Sequence, residues 1–226
     1  MNTTDFALAR EQYAKLFPGS PFFDCWVPRS HFICADYDGE NLSITRGDEK
    51  IYGMAFGPSP MIPANWNSFS IESRGLVALP EDSERMDEWD CYWAPTTEAV
   101  ALPERRKSDS EISSFLETHA PNSSVFPGND EVLSWIEVIE EGELVGTAAL
   151  CRWQSGRVVV SSVATHIDRR GQGIGKKVMG ASLGVARELG EEILSLGVMH
   201  ANESAHRLYQ SMGFTLMHNF TYCERR

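Results

Sequence analysis

A mixed α/β fold is predicted for this 226-residue chain by three observations. Apolar residues recur at helical spacing in some segments and alternate in others, the two kinds of segment are interleaved, and β-branched runs are bounded by Gly, Pro and Asn turn formers. The chain is 42% hydrophobic and 23% charged, enough apolar content for a sizeable core and too much for a disordered chain. No apolar run approaches the ~18 residues of a membrane span. Met1 to Ser20 lack the basic-then-apolar layout of a signal peptide, so a cytoplasmic location is expected.

Residues 4–17 read as an opening helix: Thr4 or Asp5 can cap it, Phe6, Ala9, Tyr13 and Leu16/Phe17 recur at helical spacing, and Pro18-Gly19 ends it. Three short strands follow, His31–Ala35, Leu42–Thr45 and Ile51–Phe56, separated by Asp38-Gly39 and Gly47-Asp48 as in an antiparallel meander. Residues 57–66 read as a loop. The acidic stretch 80–90 is expected to form a short solvated helix, and Trp89–Trp93 with Ala99–Leu102 a strand leading out of this half. The charged stretch from Pro103 to Ser108 is the expected boundary, dividing the chain into an amino-terminal extension, 1–105, and a second domain, 106–226.

Beyond it, Ser108 or Asp109 caps a helix with Ile112, Phe115 and Leu116 as its apolar stripe, and a loop with Pro121, Pro127 and Gly128 follows. Val132–Ile139 and Leu144–Trp153 make a hairpin across Glu141-Gly142, and Arg157–Thr165 is a β-branched strand. Gly171–Gly175 is a glycine-rich turn into a helix, Ile174–Leu189, with Val178, Ala181, Val185 and Leu189 on one face. Ile193–Val198 is a strand, and Asn202–Met212 is a helix turning Ala205, Leu208, Tyr209 and Met212 to the core. Phe214–Tyr222 closes as a strand.

The net charge of −12 excludes general nucleic-acid or anionic-membrane binding, which needs a basic footprint. The charge is uneven, −9 over 1–105 and −3 over 106–226, and Arg169 to Arg187 holds five basic residues and no acidic one. Such an island in an acidic chain points to a bound anion. The five cysteines, Cys25, Cys34, Cys91, Cys151 and Cys223, are odd in number, scattered and without a C-x-x-C pair. Neither a disulfide framework nor a structural zinc site is expected from them, and no metal is implied elsewhere.

The segment from Val163 to Lys177 has the physics of an anion cradle. Glycines admit positive φ and close backbone approach, amide N–H groups converge, and a helix amino terminus begins there. The glycines at 171, 173 and 175 fit neither the dinucleotide fingerprint nor the nucleotide P-loop. Arg170, Gly173 and Gly175 instead resemble R-x-x-G-x-G, the pyrophosphate-binding turn of the GNAT superfamily of acyl-CoA-dependent N-acyltransferases. About thirty residues on, Asn202, Ala205, Leu208, Tyr209, Gly213 and Phe214 match that family's closing motif N-x-x-A-x-x-L-Y-x-x-x-G-F. Thr165-His166 adds a smaller match, and Ile167 replaces the proline usual after it. The resemblance covers roughly 107–226.

The resemblance implies a mixed, mostly antiparallel sheet flanked by helices, with an α+β amino-terminal extension that fits a degenerate GNAT-like half. It implies acetyl-CoA as co-substrate. Val163, Ala164 and Thr165 would face the pantetheine arm, and Arg170, Gly171, Gln172, Gly173, Ile174, Gly175 and Lys176 would hold the pyrophosphate. Asn202 would bond the cofactor near the thioester, and Tyr209 would serve the departing thiolate. Many relatives carry a glutamate as general base on one of two splayed strands. Here Arg157–Thr165 has no carboxylate and Gly197 stands at one such place, leaving Glu137, His166 or a water chain. The expected partner is a small-molecule or peptide amine, and similar proteins are commonly homodimers. Two alternatives stand beside the acetyltransferase: a non-catalytic acyl-CoA sensor, and an amino-terminal half that is itself the functional unit.

Overall fold

A computed structural model describes residues 1–72, 78–101 and 105–226. The strands in chain order are β1 (Asn2–Thr3), β2 (Phe32–Tyr37), β3 (Leu42–Gly47), β4 (Ile51–Phe56), β5 (Ser68–Glu72), β6 (Ser83–Pro95), β7 (Val132–Glu140), β8 (Glu143–Arg152), β9 (Val158–Thr165), β10 (Ile193–Met199) and β11 (Thr215–Arg225). The helices are α1 (Phe6–Leu16), α2 (Phe22–Trp26), α3 (Asp109–His119), α4 (Ile174–Glu188) and α5 (Glu203–Ser211). No helix among the described residues is long and apolar enough to cross a membrane. The chain forms two compact units. One comprises Met1–Tyr92, Gly197–Glu203 and Leu216–Arg226, the other Trp93–Leu196 and Ser204–Thr215.

In the first unit Asp5 caps α1, its carboxylate accepting from the amides of Ala7 (2.8 Å) and Leu8 (3.3 Å). The expected meander is present as β2, β3 and β4, paired antiparallel, and β5 joins β4 in parallel. β11 then lies antiparallel to β5, with Thr221 opposite Ile71. Aromatic side chains of Tyr13, Phe22, Phe56 and Phe220 fill the core. His218 sits among them, fully buried, with Nδ1 2.6 Å from Glu72 Oε1 and Nε2 2.6 Å from the Tyr13 hydroxyl, which lies 2.7 Å from Ser20 Oγ. This chain of bonds gives four polar groups partners inside an aromatic shell, where an unpaired one would be costly.

In the second unit Ser108 and Glu111 form a capping box that starts α3, and Ile112, Phe115 and Leu116 are buried as expected. β7 and β8 make the hairpin across Glu141-Gly142, whose φ values of 53° and 87° suit a two-residue turn matching the strand twist. The strand order is β10-β9-β8-β7, antiparallel except for the β9–β10 pair. α3 packs with Val125, Trp135, Leu144, Val159 and Ala164 in one cluster. α4 lies against β8, where a side chain at Gly146 would come within 2.6 Å of Ile174 Cγ2.

Four expectations are corrected. The stretch 80–90 is not helical: residues 83–95 form β6, because sheet pairing outweighs the helix propensity of its Glu, Arg and Met residues. Residues 99–101 are irregular, and Leu102, like Pro103 and Glu104 of the expected boundary, lies outside the described residues. The compact units part between Tyr92 and Trp93 and not at 105/106, and the first unit takes β11 because of its pairing with β5, a contact between distant segments that leaves no local pattern. Of the residues expected to face the core from α4 and α5, Val178, Val185 and Tyr209 are buried, whereas Ala181, Leu189, Ala205, Leu208 and Met212 are half-buried. All five cysteines are free thiols. Four are buried and Cys34 is partly so, and burial pushes the Cys151 thiol up to about 12, leaving it unreactive.

Candidate functional site

β9, the turn after it and α4 build the site. β9 pairs with β8 along most of its length but meets β10 at one register position, Val159 opposite Ser195. From Val160 onward its other edge is therefore open among the described residues, a row of backbone donors and acceptors available to an extended ligand. Ala164 is buried in the α3 cluster, while Val163 and Thr165 are partly exposed. This corrects the expectation for Ala164: its side chain faces the core, and only its backbone can meet a ligand on the strand edge.

The strand runs directly into the glycine turn. Gly171 and Gly173 have φ of 79° and 82°, and Gly173 is the N-cap of α4. This left-handed cap lets the chain reverse tightly into the helix. The first α4 amide with a backbone acceptor is that of Lys177, bonded to Gly173 O at 3.1 Å. Among the described residues the amides of Ile174, Gly175 and Lys176 thus project from the helix end as orphan donors, where the helix dipole adds about half a positive charge. Gly175 permits a second close approach, since a Cβ there would lie 2.9 Å from Leu208 Cδ2 on α5. Ile174 is buried beneath the turn, Gln172 is exposed with its amide donating to Asp168 O (3.3 Å), and Lys176 is exposed.

Arg170 has a different position from the one its motif suggested. Its guanidinium donates to His119 O at 2.9 Å, tying the turn to the last carbonyls of α3. His119, which the sequence reading missed, packs its ring beside that of His166. The two rings lie 4.1 Å apart, and each Nδ1 accepts a backbone amide, Ile167 N on His119 and Asp168 N on His166, both at 3.3 Å. Burial first, and then the neighbouring His166 and Arg170, hold His119 below its ordinary pKa, against an opposing pull from Asp168.

Tyr209 is buried on α5 against Phe214, with ring centroids 5.7 Å apart. Burial raises its pKa well above the ordinary value, so the phenol keeps its proton. Asn202 is exposed immediately before α5. Glu137 does not carry a free carboxylate: its two oxygens accept the amides of Arg106 (3.1 Å) and Lys107 (3.3 Å), which fixes the segment leading into α3. Its expected role as base gives way to this tie. His166 stands with the turn, at the end of the strand where an anion would lie.

Midway along β9 is a bulge that the sequence reading also missed. Thr147 faces Ala164 and Ala149 faces Ser161, so Ala148 alone opposes Ser162 and Val163. Ser162 takes φ of 50°. The signal was present as two small polar residues interrupting the apolar run Val158–Val163.

Residues 93–214 match the model of the acetyltransferase (GNAT) family. An L-amino acid N-acyltransferase, MnaT, of Escherichia coli (strain K12) is 31% identical over 81 residues, 34% of this chain and 47% of the relative. An L-methionine sulfoximine/L-methionine sulfone acetyltransferase of Salmonella typhimurium has the same identity over the same shares. The chain thus spans about half the length of these curated relatives. Solved structures agree in fold: a GCN5-related N-acetyltransferase from Kribbella flavida has TM-score 0.54 at 16% identity over 96% of this chain and 95% of that one. A GNAT-family acetyltransferase from Colwellia psychrerythraea has TM-score 0.51 at 13% identity over the whole of both chains. With the family model spanning more than half of its residues, the chain belongs to the acetyltransferase (GNAT) family.

Proposed function

We propose that the protein is an N-acetyltransferase that moves an acetyl group from acetyl-CoA to a primary amine by direct attack in a ternary complex. The observation that carries this is the open edge of β9 leading without a break into the orphan amides of Gly173-capped α4. An extended amide-bearing arm ending in a pyrophosphate fits that sequence of donors. The backbone at Val163, Ala164 and Thr165 pairs with the pantetheine. The amides from Gly171 to Lys176, with the charge of Lys176 and the side chain of Gln172, hold the pyrophosphate, and Ile174 seats the turn on the core.

Acyl transfer needs an oxyanion donor, a neutral amine and a stabilised leaving thiolate. The bulge unpairs backbone N–H groups of β9, which can donate to the oxygen that gains charge. Tyr209 keeps its proton and hydrogen-bonds the departing sulfur. A phenol so raised stabilises a thiolate by hydrogen bonding more readily than by full proton transfer, because an ordinary thiol (pKa ~8.5) is the stronger acid. With Glu137 committed to two amides, water carries the amine's proton away. His166 is too far along the strand: four residues at ~3.3 Å each separate it from the bulge, about 13 Å. The curated relatives are named for amino-acid acceptors, so the α-amine of a small amino acid is the first acceptor to test.

The test combines calorimetric titration with acetyl-CoA and thiol release across a panel of amines that includes L-methionine sulfone. Binding and turnover, with turnover lowered in Tyr209→Phe, support the enzyme. Failure to bind acetyl-CoA refutes it. The fixed position of Glu137 favours one second reading, a non-catalytic acyl-CoA sensor, for which saturable binding without turnover on any amine is the expected result.

A further inference from the structure

At the bulge of β9, Ser162 holds a left-handed conformation that glycine adopts freely and an L side chain adopts at a cost. Its hydroxyl shows what the side chain gains there. Ser162 Oγ accepts from the amide of Val125 (3.0 Å) and donates to the carbonyl of the same residue (2.7 Å). One residue earlier on each segment, Ser124 Oγ and Ser161 Oγ lie 2.8 Å apart. The Val125 side chain is buried in the α3 cluster with Ile112, Phe115 and Leu116. The segment 121–128 otherwise has few buried groups, and Pro121, Asn122 and Ser124 are exposed. Val125 and the partly buried Phe126 seat its middle on the α3 cluster, and its tie to β9 is polar, both hydrogen-bonding groups of Val125's backbone closing on a single serine.

We infer that Ser162 is a positioning residue, locking the loop from Pro121 to Gly128 onto the bulged backbone of β9. The inference rests on the proposed acetyl-CoA site. With the pyrophosphate at the turn, the pantetheine arm runs back along β9 and brings the thioester to the bulge, three residues before the end of the strand. The loop clamped there by Ser162 then forms the wall beside the thioester, on the approach of the acceptor. A glycine would shape the bulge as well, but it could not hold that wall.

The test uses the full chain with Ser162→Gly, which removes the hydroxyl and the backbone cost together, and Ser162→Ala, which removes the hydroxyl alone. Three quantities are read: the Kd for acetyl-CoA, thiol release under saturating acetyl-CoA, and amide hydrogen exchange at Val125. Thiol release uses the amine the parent turns over fastest or, where it accepts none, water as acceptor. Both variants are expected to bind acetyl-CoA within twofold of the parent, to lose about tenfold in kcat/KM for the acceptor, and to exchange Val125 faster. Turnover within twofold of the parent alongside faster Val125 exchange would reduce the clamp to a structural tie and overturn the inference. A loss of acetyl-CoA affinity as large as the loss of turnover would overturn it too, placing the effect on the donor. A parent that binds no acetyl-CoA refutes the proposed function itself, which separates the two failures.

Discussion

Gly173→Ala tests the anion cradle most directly. Gly173 has φ of 82°, and a Cβ built there meets no atom within 4 Å. The substitution therefore brings no clash, and its cost is conformational: roughly 1–2 kcal/mol for a non-glycine residue in the left-handed region. For a chain of this size each kcal/mol moves Tm by ~2–4 °C, so a fall of about 2–8 °C is expected by scanning fluorimetry. The open space that accepts the methyl group is the same space a phosphate would enter to reach the orphan amides of α4. A tenfold rise in the Kd for acetyl-CoA, about 1.4 kcal/mol, is therefore expected by calorimetric titration. The two readouts are independent. An unchanged Tm would mean that the turn does not hold its left-handed cap. A lowered Tm with an unchanged Kd would mean that the anion binds elsewhere, and the assignment of the turn would fall.

Three further outcomes are expected. Tyr13→Phe removes a hydroxyl shared by His218 and Ser20 inside the aromatic core and should cost about 1–3 kcal/mol in urea unfolding; a loss under ~0.5 kcal/mol would show that the buried network adds nothing. His119 has a depressed pKa in the fold, so its contribution to stability is complete above the ordinary value of ~6.5 and is lost as the pH falls below it, where the unfolded chain takes up the proton first. His119→Gln should flatten the fall of Tm between pH 7 and pH 5, and a slope equal to the parent's would contradict the sign. Glu137→Gln leaves one oxygen for two amides and should lower Tm while changing kcat less than threefold; a loss of a hundredfold in kcat at unchanged Tm would restore Glu137 as the base.

The parts of the site legible in the sequence are those set by local chemistry. Glycine at 171 and 173 answers a need for positive φ, and the helix that carries Leu208 and Tyr209 shows in its periodicity, so both could be read from a dozen residues, although Asn202 lies just before that helix and not on it. The capping box at Ser108 and Glu111 and the Glu141-Gly142 hairpin are local in the same sense. What escaped depends on partners distant in sequence. β11 joins the first unit through pairing across some 150 positions, and β6 is a strand despite a helix-favouring composition. Ser162 reads as one more strand residue until Val125 is placed against it. His119 reads as the last residue of an amphipathic helix until the turn folds back and sets His166 and Arg170 beside it.

The basic island that first suggested an anion contains fewer available charges than its composition implies. Arg170 donates to the carbonyl of His119, and Lys177 pairs with Glu140 at 2.7 Å, a contact that also lowers the Glu140 pKa. Both cations fasten the turn, one to the carboxyl end of α3 and the other to β7. Within the motif Lys176 is then the exposed cation with no ion pair among the described residues, so on the proposed function the amides beside it would supply the rest of the attraction. An amide cradle differs from a cluster of arginines: its dipoles are fixed by the fold, need no reorganisation to meet a phosphate, and act at short range, where salt screens them little. On the proposed function, the arginine of the R-x-x-G-x-G turn would serve the phosphate through geometry, its bond to His119 O holding the turn in place. An anion site of the proposed kind would need no basic surface around it, which is compatible with a chain of net charge −12.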